Sequence, residues 1–129
     1  MNPLKLEIVT PEGQIFSSEV KNVTLPGSEG EFGVYSGHAS VVSLLKAGVI
    51  DIELNSGKHE LVAIDWGHAK VDEHSVTVLA DGAVSIGGDS EGEIAKSLRD
   101  AKTLISSMSD SDIAIATAMT KIESMIKSR

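Results

Sequence analysis

The sequence predicts an α+β protein in which an N-terminal antiparallel β-sandwich/barrel is followed by a C-terminal two-helix antiparallel hairpin. Short alternations of apolar and polar residues, separated by turn signals, fill the first two thirds of the chain. Apolar residues then recur at helical spacing, and the pair Gly87-Gly88 marks the change. We therefore predict a sandwich domain over residues 1–86, a hinge over 87–91 and a helical hairpin over 92–129.

The predicted strands follow the alternation along the chain. Leu4, Leu6 and Ile8 alternate with polar residues, and turn residues 10–13 lead into a return strand from Ile15. Further strands are expected at 20–25, 48–54, 59–66, 70–73 and 75–80. Because no long helical segment separates them, this succession of short strands favours an antiparallel sandwich over a parallel βαβ sheet.

The predicted hairpin begins at a capping box formed by Ser90 and Glu93. Residues 106–112, rich in serine and aspartate, should end the first helix, and Asp110 is a suitable N-cap for the second. The apolar stripes are Ile94, Leu98, Ala101, Ile105 and Met108 in the first helix, and Ile115, Met119, Ile122 and Ile126 in the second. The burial free energy of these few large side chains must offset the conformational entropy that the whole segment loses when it folds. We therefore expect a hairpin that is marginal alone, and stable but detachable when it packs on the sandwich.

Charge and composition exclude several classes of function. The 129-residue chain has a net charge of −8 and no cysteine. A nucleic-acid partner, a disulfide framework and a thiolate metal site are therefore not expected. The apolar runs are too short to span a bilayer, so we expect no direct membrane insertion and a protein kept in a reducing cytosol.

The polar residues contain no strong motif for catalysis or metal binding. Carboxylates lie close in sequence to His59, His68 and His74, but without a tight cluster we predict no metal site. No Ser-His-Asp order or nucleophile elbow is present, and the glycine-rich segment 87–92 lacks the lysine of a phosphate-binding loop. We therefore predict no catalytic residue and no cofactor.

The segment 25–38 is the most informative part of the chain. It places four glycines and Pro26 within fourteen residues, and it carries Glu29 and Glu31 beside Phe32 and Tyr35. Such a density of glycine allows tight turns with positive φ. A turn that presents both charged and aromatic side chains is typical of a contact surface, so we predict that this segment meets a partner.

The same residues resemble a known family. The run from Leu25 to Ala39 is similar to the signature loop of the epsilon subunit of rotary F-type ATP synthases, Gly-x-x-Gly-x-x-Gly-[Val/Ile]-x-Pro-Gly-His-Ala. The apolar run at 41–45, the Gly48-Val49 strand start and the segment 76–81 also resemble the family, as does the start at 6–13. The resemblance thus covers the whole chain, with a sandwich first and a helical hairpin second.

The resemblance implies a non-catalytic rotor subunit in proton-driven ATP synthesis, peripheral on the cytoplasmic face of the bacterial inner membrane. Its partners would be the gamma subunit, the c-ring and, through the hairpin, the alpha/beta head, whose ATP hydrolysis the hairpin inhibits in many members. Carried over by position, the c-ring-facing residues are Ser28, Glu29, Gly30, Glu31 and Phe32. The gamma-facing residues are Thr10, His38 and Ser43. For Lys96, Arg99 and Lys102, which share one helix face, a solvated face and docking to an acidic surface of the head are both open.

Two departures from the family bear on rigidity and on nucleotide binding. The family usually has proline at the position of Ser36, and often at that of Ser40. The absence of these prolines should cost some rigidity but not the fold. The Ile/Leu-Asp-x-x-Arg-Ala motif that binds regulatory ATP in some members is incomplete, since Ala95 follows Ile94 and Asp100 follows Arg99. We therefore expect no cofactor, and regulatory ATP in the hairpin stays an open alternative. An alternative hypothesis is a stand-alone β-sandwich ligand-binding module with the hairpin as a lid.

Overall fold

The computed structural model describes residues 3–86 and 91–108. Within this part of the chain, ten strands precede one helix. The elements are β1 (Leu4–Thr10), β2 (Gly13–Val20), β3 (Asn22–Gly27), β4 (Gly30–Tyr35), β5 (Val41–Leu45), β6 (Gly48–Glu53), β7 (His59–Ile64), β8 (Gly67–Val71), β9 (Ser75–Ala80), β10 (Ala83–Ile86) and α1 (Glu91–Met108). The predicted class, a β-sandwich followed by helical structure, is confirmed.

All ten strands belong to one hydrogen-bonded sheet that closes over a core. The order is β10-β7-β6-β3-β5-β8-β9-β1-β2, and β4 pairs with β3. The pairs are antiparallel except for β1 and β9, which run parallel from Lys5↔Ser75 to Val9↔Leu79. The expectation of a wholly antiparallel sheet is therefore wrong at this one pair, because local alternation carries no information about the direction of a partner so distant in sequence.

The main core lies between the inner faces of the strands. The alternation of Leu4, Leu6 and Ile8 is confirmed, since all three side chains are fully buried. Residues of the other strands complete this cluster, among them Val23, Leu25, Ile50, Ile52, Val62, Ile64, Val76 and Val78. This single core fixes the register of the sheet, since a slip of one residue would turn every apolar side chain outward.

Helix α1 packs on the outer face of the sheet at β10 and β7. A second apolar cluster forms there, from Val49, Leu61, Ala63, Ile86, Ala101 and Ile105, with Leu98 and Leu104 at its edge. The continuous apolar run of β7 follows from this arrangement, because Val62 and Ile64 face the main core while Leu61 and Ala63 face the helix. Of the two arrangements considered for the helical segment, packing on itself or on the sandwich, α1 shows the second.

Several strands differ from the sequence-based expectations. Strand β4 lies within the predicted turn segment, β8 begins at Gly67 instead of Lys70, and neither β5 nor β10 is among the predicted strands. A β-carbon on Gly67 would lie 2.2 Å from the carbonyl oxygen of Leu79. This glycine therefore permits a close approach of two strands and does not mark a break. Glycine inside a strand has the same local signature as glycine in a turn.

The helical part agrees with the prediction as far as it is described. α1 begins at Glu91, one residue before the predicted hairpin start, and continues to Met108, into the predicted break at 106–112. The rest of the hinge, residues 87–90, and the predicted second helix from Asp110 lie outside the described residues.

Candidate functional site

The β3–β4 hairpin presents the predicted ring-facing residues at its tip. Ser28 and Glu29 form the turn, and Gly30 pairs with Gly27 directly behind it. Gly30 has a φ of 133°, a backbone conformation that residues other than glycine rarely adopt. The predicted need for glycine is therefore confirmed at this position. Ser28, Glu29, Gly30 and Glu31 are exposed, which leaves two carboxylates at one end of the sandwich.

Phe32 differs from the other tip residues. Its side chain is half-buried and packs against the main core. A β-carbon on Gly27 would lie 2.9 Å from the Phe32 ring, so the ring occupies the space above that glycine. The tip is therefore a folded hairpin with an internal aromatic contact, and only its polar residues project into solvent.

A second surface lies on the outer face of β5, β8 and β9. Val42 and Leu44 of β5 are 68% and 67% exposed, and Leu79 of β9 is 43% exposed. The register places His68 of β8 between Leu44 and Leu79, and Trp66, 48% exposed, precedes β8. We call Val42, Leu44, Trp66 and Leu79 the apolar face. Helix α1 packs at β7 and β10, away from β5, β8 and β9 in the order of the sheet.

The predicted gamma-facing residues do not form one cluster. Ser43 lies in β5 between Val42 and Leu44 but on the alternate side of the strand, half-buried, opposite the buried Ala69. Thr10 ends β1 and is buried; its hydroxyl donates to the Gly13 carbonyl at 3.3 Å and accepts from the Glu12 N–H at 3.2 Å. Thr10 therefore closes the β1–β2 turn.

His38 lies at the other end of the sandwich from Thr10. Its Nδ1 lies 2.7 Å from the Ala39 carbonyl, which can only accept, so Nδ1 carries a proton. The β4–β5 connection is tied to the β8–β9 turn: the Gly37 N–H donates to the Glu73 carbonyl at 2.7 Å. Two serines contribute to the same attachment, since Ser36 Oγ lies 3.2 Å from His74 Nδ1 and Ser40 Oγ donates to Asp72 Oδ1 at 3.4 Å. Polar contacts of Ser36 and Ser40 thus hold this connection.

The basic residues of α1 are on its solvent side. Lys96, Arg99 and Lys102 are all exposed, whereas Ala101 and Ile105 are buried against the sheet. Their exposure is compatible with both the solvated face and the docking face. Their role stays a prediction.

Several polar side chains on β6 contact residues of the neighbouring segments. Asn22 Nδ2 donates to Glu53 Oε1 at 2.9 Å, and Lys21 Nζ lies 3.4 Å from Glu53 Oε2. The hydrogen bond from Asn22, with help from Lys21, holds the pKa of Glu53 below its ordinary value. On the same strand, Asp51 Oδ1 lies 2.8 Å from His59 Nδ1. These are strand-to-strand contacts that stabilise the sheet.

Two kinds of site are not found in the described part of the chain. Over residues 3–86 and 91–108, no three His, Cys, Asp or Glu side chains come together in a way that could hold a metal ion. Within the same ranges, no helix combines the length and the apolar character needed to cross a membrane.

Sequence reasoning missed the apolar face as a site. A partial signal was present in the run Val41–Leu45, whose apolar residues fall on both faces of a strand. Such a pattern is typical of a strand that is covered on both faces. Only one face of β5 is buried here: Leu45 joins the main core while Val42 and Leu44 are exposed. An uncovered apolar patch of this kind is typical of a protein–protein interface.

Known proteins with similar sequences share one name. Residues 3–86 match the family described as the ATP synthase delta/epsilon chain, β-sandwich domain. The ATP synthase epsilon chain of Campylobacter fetus subsp. fetus is 60% identical over 129 residues, covering all of both chains. The epsilon chain of Wolinella succinogenes is 57% identical over 127 residues, covering 98% of this chain and 97% of that one.

Solved structures agree. A chain in the Euglena gracilis mitochondrial ATP synthase OSCP/F1/c-ring structure matches with a TM-score of 0.64 and 25% identity, covering 92% of this chain and 74% of that one. A chain in the Tetrahymena thermophila mitochondrial ATP synthase central stalk/c-ring structure matches with a TM-score of 0.56 and 12% identity, covering 81% and 94%. The second likeness concerns the fold alone. With the sandwich, the hairpin tip and the full-length identities taken together, the chain belongs to the family of ATP synthase epsilon chains.

Proposed function

We propose that this chain is a central-stalk subunit of a rotary ATP synthase, where it fastens the gamma subunit to the c-ring during proton-driven ATP synthesis. The family supports this proposal over that of a stand-alone ligand-binding module, and the matched Euglena gracilis structure is described as an OSCP/F1/c-ring assembly. The subunit is non-catalytic and peripheral, on the cytoplasmic face of the membrane. Its action is mechanical, since torque from the ring reaches gamma only if both contacts hold.

The observation that carries the proposal is the apolar face. Val42, Leu44, Trp66 and Leu79 expose large apolar side chains that α1, packed at β7 and β10, leaves uncovered. We infer that gamma covers this face, with Thr10 and His38 near its two ends, whereas Ser43 lies on the other side of β5 and stays outside the contact. Burial of such side chains supplies most of the free energy of association in a stable interface.

A binding experiment tests the apolar face. Leu44→Glu should weaken capture of gamma by the tagged full-length chain about 30-fold or more, because a loss of about 2 kcal/mol is typical of a central interface residue. Ser17→Glu is the matched control: Ser17 lies exposed on β2, on the outer face of the same sheet. Equal capture of gamma by both variants and the unchanged chain would contradict the proposed interface.

The hairpin tip is the proposed ring contact. Ser28, Glu29, Gly30, Glu31 and Phe32 form it, and the exposed carboxylates Glu29 and Glu31 suit basic residues in the polar loops of the c-ring. Such charges set orientation and register more than affinity. Glu31→Lys should therefore reduce ATP-driven proton pumping in reconstituted vesicles while the sandwich stays folded. Glu60→Lys is the control: it makes the same change in charge at an exposed residue of β7, away from the tip, and should leave proton pumping unchanged. Full pumping by Glu31→Lys would count against the tip.

The helical segment 92–129 is the proposed regulatory domain. Lys96, Arg99 and Lys102 offer a basic surface to the acidic head, so a chain truncated after Ser90 should assemble and hydrolyse ATP faster if the segment acts as a brake. Loss of assembly on truncation would mean that the segment is structural instead. Because the ATP motif is interrupted at Ala95 and Asp100, we propose that no nucleotide binds. A thermal shift with MgATP would overturn that statement.

A further inference from the structure

The ring-facing tip is attached to strand β5 by backbone hydrogen bonds. The Ser28 N–H donates to the Leu44 carbonyl at 2.9 Å, and the Lys46 N–H donates to the Pro26 carbonyl at 3.0 Å. Gly27 pairs with Leu45 between these two bonds. The tip end of β3 is therefore hydrogen-bonded to the end of the strand that also carries part of the apolar face.

The tip is also packed from within. A β-carbon on Gly27 would lie 2.6 Å from the Gly30 carbonyl oxygen and 2.9 Å from the ring of Phe32. The Phe32 ring covers the backbone at Gly27 and reaches the main core, which leaves no space for a side chain there. An aromatic ring that covers a glycine in a neighbouring strand is a known means of fixing strand pairing. Glu31, which follows Gly30 and precedes Phe32, projects from the part of the hairpin that this contact holds.

We propose that Gly27 and Phe32 are positioning residues that stiffen the tip, and that β5 transmits the tip's load to the apolar face. Leu44 joins both surfaces, since its carbonyl accepts from Ser28 and its side chain is exposed on the apolar face. Phe32 thereby acts on the tip through its contact with Gly27. The inference rests on the proposed function and adds a load path to it.

The physical reason is that a loosely held turn would absorb displacement. Hairpin tips are ordinarily the most mobile part of a sheet because few contacts hold them. Charges that set orientation need a support that keeps them in place, and a site whose support is loose loses its geometry. Two backbone bonds to β5 and one aromatic contact give this tip such a support.

The experiment compares three substitutions within the hairpin, each in the assembled complex in native membranes. Phe32→Ala removes the ring without adding atoms, and Gly27→Ala adds a methyl group where none fits. Gly33→Ala is the matched control, because its β-carbon would have no neighbour nearer than the Tyr35 ring at 3.8 Å. The measurements are retention of the subunit, ATP hydrolysis and ATP-driven proton pumping.

We expect Phe32→Ala and Gly27→Ala to lower pumping per ATP hydrolysed by about twofold or more, as for a site whose support is loosened, while Gly33→Ala has no effect. Phe32→Tyr, which keeps the ring, should restore coupling. A variant that fails to assemble although its Trp66 emission stays native also supports the inference, because a misplaced tip then fails to dock. Normal coupling by both variants, or the same loss from Gly33→Ala, overturns it. The proposed function fails on a separate result: the unchanged chain would be found bound to neither the gamma subunit nor the c-ring.

Discussion

Replacement of Ile105 by alanine should release α1 from the sandwich without unfolding the sheet. Ile105 is 1% exposed and belongs to the second apolar cluster, which is distinct from the main core. It supplies one of the two fully buried side chains that the described helix contributes, and the other, Ala101, is small. The helix therefore depends on Ile105 more than on any other single contact.

The expected loss of docking free energy follows from the burial of the Ile105 side chain. Truncation of a buried isoleucine to alanine costs about 2–5 kcal/mol, and the partial exposure of Leu98 and Leu104 means that few contacts compensate. We therefore expect docking to weaken by about 2–4 kcal/mol, which lowers the protection of α1 amides roughly 30- to 1,000-fold. The better helix propensity of alanine offsets only about 0.4 kcal/mol.

Hydrogen exchange with mass spectrometry on the full chain measures this directly. Peptides from α1 should lose protection, whereas peptides from β8 and β9 should keep it, and the urea midpoint reported by Trp66, the chain's one tryptophan, should move little. Asp100→Ala, on the exposed side of the same helix, should behave as the unchanged chain. If α1 and β8–β9 lose protection by the same factor, the helix and the sheet form one cooperative unit and the reasoning is refuted.

Three further predictions concern the sandwich. Gly67→Ala should destabilise it by about 1–3 kcal/mol in urea unfolding, because the new methyl group meets the Leu79 backbone; a stability equal to that of Gly33→Ala would contradict the close strand contact. Asp65→Ala should cost about 1–3 kcal/mol for each N–H left without an acceptor, since Asp65 Oδ1 accepts from Trp66 at 2.7 Å and Gly82 at 2.8 Å, whereas Asp65→Asn should retain most of the stability. The pKa of Glu53 is lowered in the folded state by its hydrogen bond from Asn22, so its contribution is fully present at neutral pH and is lost as the pH falls below the ordinary pKa of glutamate and through the lowered one. Glu53→Gln should flatten that part of the stability curve, and an unchanged slope would refute the assignment.

Local patterns predicted much of the fold because local physics produces it. The alternation of Leu4, Leu6 and Ile8, the turn at 10–13 and the stripe through Ala101 and Ile105 all depend on spacings within a few residues. Gly30 adopts the positive φ that a glycine-rich turn suggests, whereas Gly27 serves close packing against Phe32. The same residue type thus has two uses, and only its three-dimensional neighbours distinguish them.

The exposed, charged hairpin tip was predictable from the sequence, but the apolar face was not. Glu29 and Glu31 lie in one short segment whose resemblance to a family signature is visible in the sequence. The apolar face joins Leu44 of β5 to Leu79 of β9, with His68 of β8 between them, and these strands meet through non-local pairing. The run 41–45 showed that β5 is apolar on both sides, but not which side the protein leaves uncovered.

The sequence by itself therefore determined the sandwich class, the helical end, the charged tip and the family. The tertiary structure decided the parallel β1–β9 pair, the side of the sheet that α1 covers and the attachment of the tip to β5. The division has one physical cause. Turns, alternation and helix stripes are set by neighbours along the chain, whereas strand direction, the covered face and the path from tip to apolar face are set by contacts between residues distant in sequence.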